Sequence, residues 1–273
     1  MIEITTKNQG AELTSIKLNG EEKLHDGVTD WNRHAPVLFP IVGKLKNGET
    51  MIEGKVYKMG QHGFARDMEF EKIGDHSYRL KFNEKTLEKF PYQFEFKISY
   101  ETTKNSVTTK YEIKNIDDKT MKFGLGGHPA FKCNYENCEL EFEQPEEKIE
   151  FYQLENGLVK LEEEDKSKFI NKNKITFNKT TFDNDAIIMK NLKSNKIILK
   201  ENGKPILEFD FTDFPLLAIW SKPGANFLCL EPWFNTADKI NSDGNFETKE
   251  NLIKLRPNEV FKCSYTVKFY TKN

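Results

Sequence analysis

F-E-F-K-I-S-Y-E-T-T-K-N-S-V-T-T-K-Y-E-I, residues 94–113, decides the fold. Phe94, Phe96, Ile98 and Tyr100 recur at every second position, and the pattern returns from Val107 to Ile113 after Lys104-Asn105. In an extended chain successive side chains point to opposite faces, so a period of two puts an apolar row on one face of a sheet. Polar residues at the intervening positions face the other way. Lys104-Asn105 supplies the turn, and the stretch predicts a long antiparallel hairpin.

The same period spreads outward in both directions. At the C-terminal end, Phe261, Cys263, Tyr265, Val267 and Phe269 share one face of a final strand. Upstream, Met68 to Ile73 alternates, Gly74-Asp75 turns, and Tyr78-Leu80-Phe82 alternates again. Ile2 to Thr6 and Ala11 to Leu18 form a pair around Asn8-Gln9-Gly10, and Asn202-Gly203 joins Ile197–Lys200 to Ile206–Phe211. Thr86 to Phe90, ended by Pro91, reads as one helical turn. Roughly fifteen short strands result, with no long helix, no repeat and no linker between them. A strand–helix–strand rhythm is absent, which makes Rossmann and TIM-barrel architectures poor fits. Gly124 to Gly127 lacks the Lys-Ser/Thr of a phosphate loop. The expectation is all-β: one large antiparallel β-sandwich spanning residues 1–273 as a single domain.

Composition narrows the function classes. Net charge is -2 and pI about 6.3, so no general attraction to nucleic acid is expected. The longest apolar runs fall short of the 18 or so residues of a membrane span. The N-terminus opens on a strand pattern instead of a signal segment, and Cys133, Cys138, Cys229 and Cys263 contain no CxxC pair. A reduced, cytoplasmic protein is expected. Nearly all positive charge is Lys. The four arginines, Arg33, Arg66, Arg79 and Arg256, carry more information because a guanidinium fork binds with direction. Glu162-Glu163-Glu164-Asp165 reads as a solvated loop.

Four places concentrate chemistry. F-G-L-G-G-H-P-A-F, Phe123 to Phe131, sets His128 between glycines that permit close backbone approach and Pro129, which restricts it to an extended conformation. A satisfied core histidine is the plain alternative. His62 and Arg66 lie four apart in H-G-F-A-R, which on a strand places both side chains on one face. Glu231 ends the apolar run Phe227 to Leu230, where a carboxylate is costly unless paired or used. Trp31, Arg33 and His34 precede the apolar connection Pro36 to Gly43, suggesting either a ligand wall or a cation–π surface pair. Asp183 and Asp185 stand beside the strand Ile187-Ile188-Met189, and a turn role serves them equally well. No His, Cys and carboxylate spacing matches a familiar metal site.

Taken together, H-G-F-A-R, G-H-P-A-F, the segment from Asp183 to Ala186 and L-E-P-W resemble the aldose 1-epimerase, or galactose mutarotase-like, family. L-F-P-I-V-G, within Trp31 to Gly43, looks like its LacX-type branch. The resemblance covers nearly the whole chain. It implies a galactose mutarotase-like supersandwich with an open cleft, a small-molecule sugar as partner, and neither cofactor nor metal. By the same resemblance His128 is the general acid and Glu231 the general base. His62 and Arg66 line the anomeric side, and Asp185, with Asp183 as the competing match, holds sugar hydroxyls. Gly127 and Pro129 around the histidine depart from the Asn and aromatic of better-known mutarotases, which leaves the preferred sugar open. Trp233 or Phe131 is expected to stack on the sugar. The implied reaction interconverts α and β anomers of a hexose or related aldose. A hexose 6-phosphate epimerase, with Arg33 holding the phosphate, and a non-catalytic carbohydrate-binding or sensing module are the alternatives. Monomer and homodimer both stay open.

Overall fold

The structure is a computed structural model that describes residues 1–146, 149–161, 170, 171 and 173–271. The acidic run at 162–165 lies outside the described residues. Among those described, two large antiparallel sheets carry the architecture. The larger has ten strands, in the order Ile170–Asn171, Lys174–Thr176, Cys138–Phe142, Lys196–Glu201, Lys204–Asp210, Val260–Phe269, Ser106–Asn115, Phe94–Thr102, Ser77–Lys81 and Glu71–Gly74. The second has seven: Glu150–Tyr152, Ile187–Lys190, Leu216–Trp220, Phe227–Trp233, Gly126–Gly127 and Val37–Leu38 in order, with Ala130–Lys132 also paired to Phe227–Trp233.

The predicted hairpin supplies the seventh and eighth strands of the larger sheet. Phe94–Thr102 and Ser106–Asn115 pair in register, Phe96 opposite Ile113 and Tyr100 opposite Thr109. Their burial alternates as the sequence does, with Phe94, Phe96, Ile98, Val107, Tyr111 and Ile113 inside. The final strand follows the same rule and pairs with Ser106–Asn115 along nearly its whole length. The helical turn falls at Glu84–Leu87, slightly earlier than predicted. Asn83 caps it, its side chain accepting from the Thr86 N–H while the Thr86 hydroxyl accepts from the Asn83 N–H.

The two sheets meet through one apolar core. Leu217, Ile219, Leu228 and Leu230 of the smaller sheet join Phe96, Ile98, Phe209 and Val267 of the larger in it. Phe131 reaches across to Phe209 and Phe269, with ring centres 6.0 and 6.2 Å away. The contact is closest at Gly127, where a Cβ would lie 2.8 Å from Tyr265 Cε1 and 3.1 Å from the Tyr111 hydroxyl. Close approach to the tyrosines, not a special φ, therefore requires this glycine. It sets the backbone just before His128 tight against the larger sheet.

Candidate active site

The smaller sheet presents its other face to a cleft. Leu228 and Leu230 point into the core, so the alternate residues Phe227, Cys229, Glu231 and Trp233 point away from it. Both faces of this strand are buried, which explains its unbroken apolar reading. Ala218 lies directly opposite Glu231 on the neighbouring strand and Ala130 opposite Cys229. These small neighbours leave room above the carboxylate. Arg33, His62, Arg66, His128, Asp185, Glu231 and Trp233 all line one cavity of about 360 Å³.

His128 sits in the short link between Gly126–Gly127 and Ala130–Lys132. Its N–H donates to the Pro36 carbonyl (3.1 Å), and the Leu230 N–H donates to Pro129 (3.2 Å). The link is thus fastened to the 36 segment on one side and to the Glu231 strand on the other. His128 Nε2 lies 3.2 Å from Glu231 Oε2. Glu231 is 1% exposed and His128 7%. Neither Glu231 oxygen nor His128 Nδ1 has a hydrogen bond of ordinary geometry. The pair is held in place by its backbone, leaving most of its hydrogen-bonding capacity for whatever enters the cleft.

Burial dominates the electrostatics. It pushes the Glu231 carboxyl well above the usual carboxylate range, and the Asp185 charge adds to this; the Trp233 side chain opposes it in part. Burial likewise lowers His128 to about 3, with Arg66 and then Arg33 contributing in the same direction. A low-dielectric site disfavours each charged form. Both shifts act in the same sense, against an imidazolium beside a carboxylate.

His62 is also pushed down, first by burial and then by His128, Arg66 and Arg33. The Gly43 N–H donates to its Nδ1 (3.1 Å), so a neutral ring carries its proton on Nε2 and acts there as a donor. The expected strand geometry of His62 and Arg66 is not what brings them together. His62 adopts φ +67° in a turn, and Arg66 belongs to the short 3₁₀ turn Ala65–Asp67. Two successive left-handed residues, His62 and Gly63 (φ +74°), bend the chain where a Cβ on Gly63 would lie 2.2 Å from the Phe39 carbonyl oxygen. Arg66 donates from Nη2 to the Gln61 carbonyl (2.7 Å), and burial lowers its guanidinium to about 10. Asp67 lies 2.8 Å from Arg33 and 3.9 Å from Arg66.

Asp185, at φ +72°, lines the cavity while Asp183 is exposed outside its lining. Phe131 is excluded from the cleft, because strand alternation sends its ring into the core. The rings that do line the cavity are Trp31, Trp220 and Trp233, every tryptophan in the chain. Trp31 stacks on His128 with ring centres 4.8 Å apart, and Trp220 meets both edge-on. The ring partners of Trp31 are thus His128, Trp220, His25 and Phe227, in place of a cation–π pair with Arg33.

Comparison with known proteins assigns the family. The aldose 1-epimerase family model matches residues 2–267. The chain belongs to the aldose 1-epimerase family. Protein LacX (chromosomal) of Lactococcus lactis subsp. lactis is 34% identical over 284 residues, covering 96% of this chain and 94% of that protein. A galactose mutarotase related enzyme from Lactobacillus acidophilus shares 31% identity at a TM-score of 0.88, covering 99% of this chain and 95% of its own. A galactose mutarotase-like protein from Lactobacillus casei shares 27% at 0.89, covering 98% and 97%.

Several residues around the cleft escape the sequence reading. Glu12, 1% exposed, accepts from the His34 N–H (2.7 Å) and the Ala35 N–H (3.0 Å), fastening the segment that carries Arg33. His25 Nε2 meets the Trp31 carbonyl at 2.8 Å. Trp220 reads only as a strand end, and its alternation with Ala218 is the signal that assigns it to the cleft face. Cys229 is the largest omission. One ligand atom each from His128, Cys229 and Glu231 lie within 4.8 Å of one another.

Proposed function

We propose that this protein is an aldose 1-epimerase of the LacX-like branch that interconverts the α and β anomers of a hexose or related aldose. The observation that carries the reading is the buried His128–Glu231 pair, 3.2 Å apart at the floor of a cleft lined by tryptophan and arginine side chains. Mutarotation needs one group to take the O1 proton and another to give a proton to O5. With the pair's proton on His128, Glu231 is the base and His128 the acid. Removal of the O1 proton forms the C1 carbonyl, the C1–O5 bond breaks, and O5 receives the imidazolium proton. Glu231 is left protonated and His128 neutral, which is the arrangement burial favours. Rotation about C1–C2 turns the other carbonyl face to O5, and the same transfers in reverse close the ring.

The remaining side chains orient the sugar. His62 Nε2–H and the Arg66 fork donate toward the anomeric oxygens, and Asp185 accepts from ring hydroxyls. Trp31, Trp220 and Trp233 cover apolar C–H faces. The test is anomer exchange, followed by NMR or polarimetry on single anomers of a panel of free and 6-phosphorylated aldoses with the spontaneous rate subtracted. Enzyme-dependent exchange of at least one aldose is expected. Its absence for every sugar, in folded protein that still binds one of them, would make the chain a binding module.

A further inference from the structure

We propose that Cys229, His128 and Glu231 form a three-donor site for a soft divalent cation, Zn²⁺ fitting best, and that the bound ion blocks the catalytic pair. The metal would play no part in the reaction. It would compete with it, and only the consequence for activity rests on the epimerase reading.

The strand supplies the geometry. Cys229 and Glu231 lie two residues apart on the cleft face, and His128 sits against Glu231 from the adjoining link. The three ligand atoms lie within 4.8 Å of one another. Tetrahedral zinc with bonds of about 2.0–2.3 Å sets its ligand atoms about 3.3–3.6 Å apart. The His128–Glu231 separation of 3.2 Å already matches that spacing, and the rest of the set must draw in from at most 4.8 Å. Both Glu231 oxygens and His128 Nδ1 are buried without hydrogen-bond partners. This donor capacity is idle in the protein itself. Thiolate, imidazole and carboxylate together make a set that zinc prefers over the hard cations magnesium and calcium. On coordination the thiol gives up its proton, so two anionic ligands neutralise the ion in a buried place. Because His128 and Glu231 line the cavity, water or a hydroxyl would complete the set.

The surrounding charges divide. Asp185, which acts on Glu231, favours a cation. Arg66 and Arg33, which act on His128, oppose one. The protein should therefore bind zinc more weakly than a dedicated structural site, yet through sulfur. Cys229 contacts no sugar in the proposed reaction: it is 0% exposed and is not among the residues that line the cavity.

The experiment uses the full chain stripped with chelator. Zn²⁺ is titrated by calorimetry, Co²⁺ by absorbance, and anomer exchange is measured at buffered free Zn²⁺. One equivalent should bind, Co²⁺ should develop a thiolate charge-transfer band, and Zn²⁺ should slow exchange until EDTA restores it. Cys229→Ala should keep metal-free exchange, lose the band and weaken Zn²⁺ inhibition by about tenfold or more, as loss of a coordinating group requires. Cys229→Ser serves the same purpose if the alanine variant fails to fold. Absence of saturable binding, a Co²⁺ spectrum without the sulfur band, or a band that survives both substitutions would overturn the proposal. Failure of metal-free wild-type exchange would instead count against the epimerase reading, and the Co²⁺ spectrum would still decide the site.

Discussion

Replacing Glu231 by Gln should abolish the base and yet stabilise the fold. Glu231 is 1% exposed, neither oxygen makes a hydrogen bond, and its carboxyl is pushed well above its ordinary range by burial and by Asp185. At pH 7 the unfolded chain carries this group ionised, so folding must take up a proton or bury a charge. The glutamine amide has the same shape and no charge, and it can donate to His128 Nε2 across the 3.2 Å now spanned by the pair. Removing a buried carboxyl that folding must neutralise or leave uncompensated is worth about 1–3 kcal/mol at pH 7. A chain of 273 residues gains roughly 2 °C in Tm per kcal/mol, giving an increase of about 2–6 °C.

The pH dependence follows from the direction of the shift. A carboxyl raised in the folded state gives its full stabilisation below the unfolded pKa of about 4.5 and loses it as pH climbs toward the folded value. The variant's advantage should therefore be near zero around pH 4 and grow toward pH 7. Thermal unfolding by circular dichroism at both pH values measures it. A variant less stable than wild type at pH 7 would refute the reasoning, because it would mean that an ionised His128–Glu231 pair holds the cleft together.

Arg66→Lys should cut catalytic efficiency about tenfold or more while Tm stays within a few degrees, since a lysine cannot both reach the Gln61 carbonyl and direct a second donor into the cavity; unchanged kcat/KM would remove Arg66 from substrate contact. Gly63→Ala, at φ +74° with its Cβ 2.2 Å from the Phe39 oxygen, should cost more than the roughly 1–2 kcal/mol of left-handed backbone alone, seen as a lower urea midpoint; a neutral effect would contradict the turn that presents His62. Because all three tryptophans line the cavity, an accepted sugar should change intrinsic fluorescence with a saturation curve matching KM, and no change at saturation would place the sugar elsewhere.

The β-architecture was legible because period-2 alternation is a direct imprint of a half-buried strand, as residues 94–113 show in pattern and register. Glu231 was legible for the opposite reason: a carboxylate breaking an apolar run stands out against its surroundings. His62 and Arg66 were located together, but their geometry was misread, since alternation says nothing of a left-handed turn followed by a 3₁₀ turn. Phe131 was misjudged by composition, where parity relative to Ala130 decides which face it takes. Trp31, Trp220 and Cys229 depend on which strands become neighbours, and that pairing is set by long-range packing. Glu12 is more remote still, acting from another strand region through backbone N–H groups that no side-chain motif marks.

The central claim is that His128 and Glu231 transfer protons to and from an aldose. The measurement is exchange NMR on one anomer of an accepted sugar, with wild type, Glu231→Gln and His128→Asn at equal concentration and folding verified by circular dichroism. Each substitution should lower the enzyme-dependent exchange rate by about 10²-fold or more, the usual scale of general acid–base catalysis. Two folded variants exchanging anomers at the wild-type rate would contradict the account.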